Sequence, residues 1–143
     1  MRLKNKIAMV VGAGQTPGPT IGNGRATALL FAREGAQVLA VDRDIESAQE
    51  TVELIQHEGG QAEAVAADVV DEASLEAAVK HCKEHLGQLD ILHNNVGISV
   101  TGGDAPVTEI STEAFDRIIA VNLRGVVLAC KHALPVMRAQ GSG

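Results

Sequence analysis

Aromatic residues are almost missing from this 143-residue chain: Phe31 and Phe115 stand alone, with no tryptophan and no tyrosine. A core must therefore be assembled from Val, Leu, Ile and Ala, which suits a buried parallel sheet covered by Ala-rich helices. Cysteine is scarce too. Cys82 and Cys130 fall in helix-like stretches without metal-site spacing, so reduced thiols in a cytoplasmic protein are expected. Positive charge is in deficit, and the net charge of -6 offers no electrostatic basis for binding nucleic acid or an anionic membrane. No apolar segment reaches transmembrane length, and "MRLKNK" leads into a strand rather than a signal-peptide hydrophobic region.

What remains is the makeup of one globular domain, with 45% hydrophobic and 21% charged residues. The order of elements is regular. "KIAMVV" reads as a buried strand, and "GRATALLFAREG" as a helix stopped by Gly35. "AQVLAVD" is a second strand. "DIESAQETVELIQHEGG" is a helix capped by Asp44 and stopped at Gly59 and Gly60. "AEAVAAD" is a weaker third strand, followed by a helix from Asp71 to Gly87. "LDILHNNVG" is a fourth strand, and "STEAFDRIIAVNLRGVVLACKHALPVMRAQ" is one long helix. Alternating strands and helices predict an α/β Rossmann-like, doubly wound parallel sheet in three layers. The strand order is 3-2-1-4, with a ligand crevice where strands 1 and 4 part.

The first crossover, "VGAGQTPGPTIGNGRA", is rich in glycine and lies at the carboxyl edge of the sheet. Unpaired amides at a helix N-terminus carry the positive end of its dipole and welcome an anion. Side chains would hold a pyrophosphate away, which accounts for Gly12, Gly22 and Gly24, with Asn23 between the last two. The loop follows a strand, opens a helix and precedes an acid, Asp42, at the end of strand 2, the context of a dinucleotide fingerprint. A carboxylate there can accept bonds from both ribose hydroxyls and repels a 2′-phosphate, so NAD is favoured over NADP. Arg43 works against that preference, because a guanidinium can bind the phosphate. A helix-capping role for Asp42 or Asp44 is the plainer alternative.

These residues resemble the short-chain dehydrogenase/reductase family over essentially the whole chain. Its motif Thr-Gly-x-x-x-Gly-x-Gly is matched by Gly12, Gly22 and Gly24, with Val11 in place of threonine. The nine residues between Gly12 and Gly22 represent an insertion of about six, so the contacts of Gln15 to Thr20 do not carry over. By this resemblance Asp68, followed by Val69, holds the adenine amino group. "NNVG" at 94 to 97 matches Asn-Asn-Ala-Gly, which implies Asn95 and Gly97 along the adenosine ribose and Asn94 as a sheet tie. Asn122 in "VNLRG" matches the asparagine of the catalytic tetrad, which supports a proton relay through a water and main-chain bonds. Its position in an apolar stripe of Phe115, Ile118, Ile119, Val126 and Ala129 predicts a buried amide that needs partners.

The family's Tyr-x-x-x-Lys and its serine have no counterpart here. The chain is accordingly expected to be a single NAD-binding Rossmann domain, residues 1 to 143, truncated before strand 5, with strand 4 a bare sheet edge. The parent would be an oxidoreductase moving hydride between nicotinamide and a small-molecule alcohol or ketone, and a homo-oligomer through its long helix. A non-catalytic dinucleotide-binding or sensor module is the competing reading. His93 is expected to be a packed histidine within strand 4. His81 and His85 form an i, i+4 pair able to ligate a metal, but Glu76, Lys80, Lys83 and Glu84 crowd that helix, so a solvated face and no metal site are expected.

Overall fold

The computed structural model describes residues 1–143. Strands β1 (Ile7–Val11), β2 (Gln37–Asp42), β3 (Gln61–Ala66) and β4 (Ile91–Asn94) form one parallel sheet in the order β3-β2-β1-β4. Helices α1 (Asn23–Arg33), α2 (Ile45–His57) and α3 (Glu72–His81) make the crossovers. The long C-terminal helix comprises α4 (Thr112–Ile119), a π-helical turn (Ala120–Arg124) and α5 (Gly125–Gln140). The expected order is the observed one.

Burial on both faces explains the unalternating apolar strands. Ile7, Met9, Val11, Leu39 and Val41 point to one side and meet Leu75, Val79, Leu128, Ala129 and Ala133 of α3 and α5. Val10, Val38 and Ala40 point to the other and meet Ala28, Leu29, Ala48, Val52 and Ile55 of α1 and α2. Each fully buried Val or Leu contributes about 1.5–3 kcal/mol relative to exposure.

Local chemistry terminates the helices as expected. Asp44 accepts from the amides of Glu46 and Ser47 at 3.1 and 3.3 Å, and Asp71 from Ala73 at 3.1 Å. Gly35, Gly59 and Gly87 end their helices at φ of +94°, +83° and +87°, where a side chain would be strained. Strands 3 and 4 are shorter than their sequence patterns, because the pairing that defines them stops at Ala66 and Asn94 and the chain then turns into the loops of the rim.

Two expectations about the long helix are corrected. It runs 29 residues, Thr112–Gln140, and is long and apolar enough to cross a membrane by length and composition, although no unbroken apolar run announces it. Its inward face also differs. Val121, Leu128, Ala129 and Ala133 face the sheet core, Gly125 meets Val69, and Ala114 and Ile118 pack on the loop at Gly102 and Gly103, while Phe115, Leu123 and Val127 are more than half exposed. Gly125 sets this rotation. A Cβ on it would lie 2.8 Å from the Cβ of Val69, so the helix meets the loop after β3 at its bare backbone.

Candidate functional site

Parallel pairing brings the ends of all four strands to one rim. Val11 stands opposite both Val41 and Asn94, and Asp42 stands opposite Ala66. The residues at or just beyond each strand's end, Gly12, Asp42, Asp68 with Val69, and Asn95 with Gly97, therefore lie along one rim.

The glycine loop turns at Gly12, whose φ of +86° and tight contact with Val96 suit no other residue. Gly24 is the closest approach of all. A Cβ there would lie 1.7 Å from the Gly12 carbonyl oxygen, so α1 packs directly on the turn. Beyond Gly22 the space is open, with only the Gln15 side chain within 4 Å of a Cβ. No side chain caps α1. Its first bonded amide is Ala26 N, to Gly22 O at 3.0 Å, and the amides of Asn23, Gly24 and Arg25 before it keep their donors free. A bare turn under unpaired helix amides is a geometry suited to an anion.

The segment between Gly12 and Gly22 is closed by one side chain. Gln15 Nε2 donates to the carbonyls of Thr16 and Thr20 at 2.7 and 2.8 Å, and its Oε1 accepts from Gly22 N at 2.6 Å. The Gln15 amide donates to Ser47 Oγ at 2.6 Å, which ties the loop to α2. Beneath it, buried Thr51 donates to Ala13 O at 2.7 Å and accepts from Arg25 Nε at 2.9 Å. Arg25, itself 9% exposed, also reaches Ser47 O and Glu50 at 3.0 and 2.9 Å. Gly14, Gln15, Arg25, Ser47 and Thr51 are the supports that sequence reading missed; they are partners across 22 to 38 residues, which no local pattern reveals.

Asp42 shares its carboxylate with the protein. Oδ2 accepts from Gly14 N at 2.9 Å and Oδ1 from Asp44 N at 3.1 Å, while Asp44 performs the capping of α2. Each oxygen keeps a further lone pair for a ligand. Arg43 beside it is exposed. Asp68 is half-buried, with Oδ1 accepting from Val70 N at 3.1 Å, and Val69 is buried under Gly125. The Asn95 side chain donates to Gly12 O at 3.2 Å, joining the first and fourth loops. Asn94 donates weakly to Cys130 Sγ at 3.9 Å. Gly97 lies exposed on the rim, with nothing nearer to a Cβ than Asn122 Oδ1 at 3.7 Å.

The sequence model described as short chain dehydrogenase matches residues 6–143. The chain belongs to the short-chain dehydrogenase family. It is 44% identical over 140 residues to the uncharacterized oxidoreductase YxbG of Bacillus subtilis, covering 98% of this chain and 48% of that protein. With the 2-(R)-hydroxypropyl-CoM dehydrogenase of Xanthobacter autotrophicus it shares 36% identity over 140 residues, 97% of this chain and 54% of the other. A Burkholderia xenovorans crystal structure, described as a short-chain dehydrogenase/reductase, superposes with a TM-score of 0.93 at 42% identity. The match covers 99% of this chain and 55% of that one. The hydroxysteroid dehydrogenase of Escherichia coli gives 0.88 at 33% identity, over 99% of this chain and 56% of that one. The chain thus spans about half the length of the curated relatives it matches.

Asn122, the residue matched to this family's tetrad, is exposed rather than buried in an apolar stripe, because the inward face passes through Val121. It sits in the π-helical turn, and its amide has the partners it needs. Nδ2 donates to Ile98 O at 2.7 Å and Oδ1 accepts from Ile98 N at 2.8 Å. This reciprocal pair fixes the loop that leaves β4 against the long helix. His93 packs edge-on against Phe31, with centroids 6.1 Å apart, as a structural histidine. Burial pushes the Cys82 thiol up to about 12, with Glu63 and Asp90 adding to the effect, which disfavours the thiolate at neutral pH.

Proposed function

We propose that this short-chain dehydrogenase domain binds the adenosine and pyrophosphate half of a nicotinamide dinucleotide, NAD in preference to NADP. The observation that carries the reading is the bare turn of Gly12 and Gly24 beneath three unpaired helix amides, on the same rim as the Asp42 carboxylate. The chemistry of these donors fits the group. The free amides of Asn23, Gly24 and Arg25 hold the pyrophosphate over the bare Cα of Gly22, whose own amide is taken by Gln15. The remaining lone pairs of Asp42 take the ribose hydroxyls, Asp68 and Val69 border the adenine, and Asn95 and Gly97 line the second ribose edge. When bound, the nicotinamide supplies hydride transfer, and the protein orients and shields it.

The parent activity we propose is oxidoreduction between a secondary alcohol and a ketone of a small-molecule substrate. Similarity to the 2-(R)-hydroxypropyl-CoM dehydrogenase of Xanthobacter autotrophicus and to a galactitol 2-dehydrogenase of Agrobacterium fabrum supports this class. Asn122 holds the main chain at Ile98 beside the crevice and takes part in the proton relay of the family. The 143 residues alone do not turn over substrate, because there is no tyrosine among them to serve as acid and base. That absence also favours the second reading, a dinucleotide-binding or sensor module. The exposed Phe115, Leu123 and Val127 on the long helix support homo-oligomerisation of the parent, the unpaired cysteines support a cytoplasmic setting, and the net charge of -6 argues against a nucleic-acid partner.

Calorimetric titration of the chain with ADP-ribose and with its 2′-phosphorylated form tests the reading. Saturable binding of the first, with the second weaker, is the expected result. No binding of either removes the dinucleotide site, and tighter binding of the phosphorylated form reverses the NAD preference in favour of Arg43.

A further inference from the structure

Sequence spacing alone leaves His81 and His85 on a solvated helix face, but the fold brings a third donor to them. Helix α3 runs back along β3, the edge strand of the sheet, and Glu63 lies mid-strand opposite Leu39. Glu63 Oε2 lies 2.9 Å from His81 Nε2. From the π-helical turn Cys82–Leu86, which continues α3, His85 Nδ1 lies 3.2 Å from that same Nε2 and 2.8 Å from His81 Nδ1. One oxygen and two nitrogens thus fall within 4.8 Å of one another. The rings meet edge-on, at 72° with centroids 4.0 Å apart, so their faces do not stack, and a small turn of the exposed His85 ring aims its nitrogen at the same point as His81 Nε2 and Glu63.

The separations of 2.9 and 3.2 Å from His81 Nε2 are those of ligands around a small ion, and the third pair lies within 4.8 Å. With metal–donor bonds of about 2.0–2.1 Å, the corners of a tetrahedron are about 3.3 Å apart. We propose that Glu63, His81 and His85 form a surface site for a divalent transition-metal ion of the zinc, cobalt, nickel or copper type. Two imidazoles and a carboxylate match that group rather than magnesium or calcium, which take oxygen ligands. Three protein donors leave a position for water. The side chains of His81 and Glu63 are 29% and 42% exposed, which gives an ion access from solvent. Glu63 sits three rungs below the rim at which Asp42 faces Ala66, so the ion fastens the edge strand to α3 and takes no part at the nucleotide crevice. The site is independent of the dinucleotide reading.

The test uses the tag-free 143-residue chain, titrated with cobalt(II) chloride in the visible and with zinc chloride by calorimetry. One ion per chain is expected, with a melting temperature that rises as zinc is added. His85→Ala and Glu63→Gln each weaken binding by about tenfold or more, while His57→Ala and His132→Ala leave it unchanged. His85 is exposed and Glu63→Gln preserves shape, so circular dichroism of both variants should match the parent. Binding that does not saturate, or an affinity unaltered in either His85→Ala or Glu63→Gln, overturns the site and leaves the three groups as a hydrogen-bonded chain only.

Discussion

The Asp42 carboxylate accepts the Gly14 amide at 2.9 Å, across 28 residues, and so fastens the glycine loop to the end of β2. A residue matched to ribose recognition is at the same time a strut of the turn it faces. Asp42→Ala orphans the Gly14 and Asp44 amides and is expected to cost about 1–3 kcal/mol in urea unfolding. Asp42→Asn keeps one carbonyl oxygen and costs less. ADP-ribose binding should fall in both, and an affinity in Asp42→Ala equal to the parent's would remove the ribose role.

Gly24→Ala places a methyl 1.7 Å from a backbone oxygen that no rotamer change can move. The helix must lift off the turn, and a loss of about 3 kcal/mol or more is expected, beyond the usual range for overpacking. Gly59→Ala is the control. It meets nothing within 4 Å and carries only the strain of φ +83°, about 1 kcal/mol. Equal denaturation midpoints for the two variants would contradict the close approach at Gly24.

Asn122 bridges to the main chain of Ile98 in both directions. Because the pair is exposed, Asn122→Ala should cost only about 1–2 kcal/mol. Amide hydrogen exchange offers the sharper readout. The Ile98 N–H should lose protection in Asn122→Ala and in Asn122→Leu, while the amides of β1 and β2 keep theirs.

Asp90 is buried, and burial alone would raise its pKa. Hydrogen bonds from Ile7 N at 2.8 Å, Lys6 Nζ at 3.0 Å and Gln88 Nε2 at 2.6 Å outweigh that and hold it below the ordinary carboxylate range. A folded pKa below the unfolded value, about 3.9, stabilises the native state fully above the unfolded pKa. That contribution is lost as pH falls through the folded pKa. Asp90→Asn should therefore be less stable at neutral pH, with a shallower loss of stability in acid. Parallel acid limbs in the two proteins would exclude Asp90 as a contributor.

Much of this architecture was legible because its signals are local. β1 and β2 are apolar runs bounded by glycine or acid, the caps Asp44 and Asp71 stand one residue before their helices, and their order dictates the sheet. Gly12 and Gly24 were readable for the same reason, since a close backbone approach tolerates only one residue type. Asn122 was misread as buried because apolar counting gave Gly125 no weight. That glycine is the point of tightest contact and turns the helix so that Val121 faces inward. Arg25, Ser47 and Thr51 left no trace at all, since an arginine or a hydroxyl in a helix looks solvated until its distant partner is known. Glu63 escaped in the same way, being separated from His81 by a whole crossover.

Gln15 makes the segment that follows Gly12 close on itself. Its one amide group gathers Thr16, Thr20 and Gly22, so the segment between them forms a self-closing eyelet anchored at its two ends, to α2 through Ser47 and to the start of α1 through Gly22. Residues 16 to 20, between those anchors, are therefore the part of the loop whose length bears least on the geometry of Gly12 and Gly24. Lineages can lengthen or trim the eyelet, and engineers can graft into it, while the strand and helix on either side stay where they are.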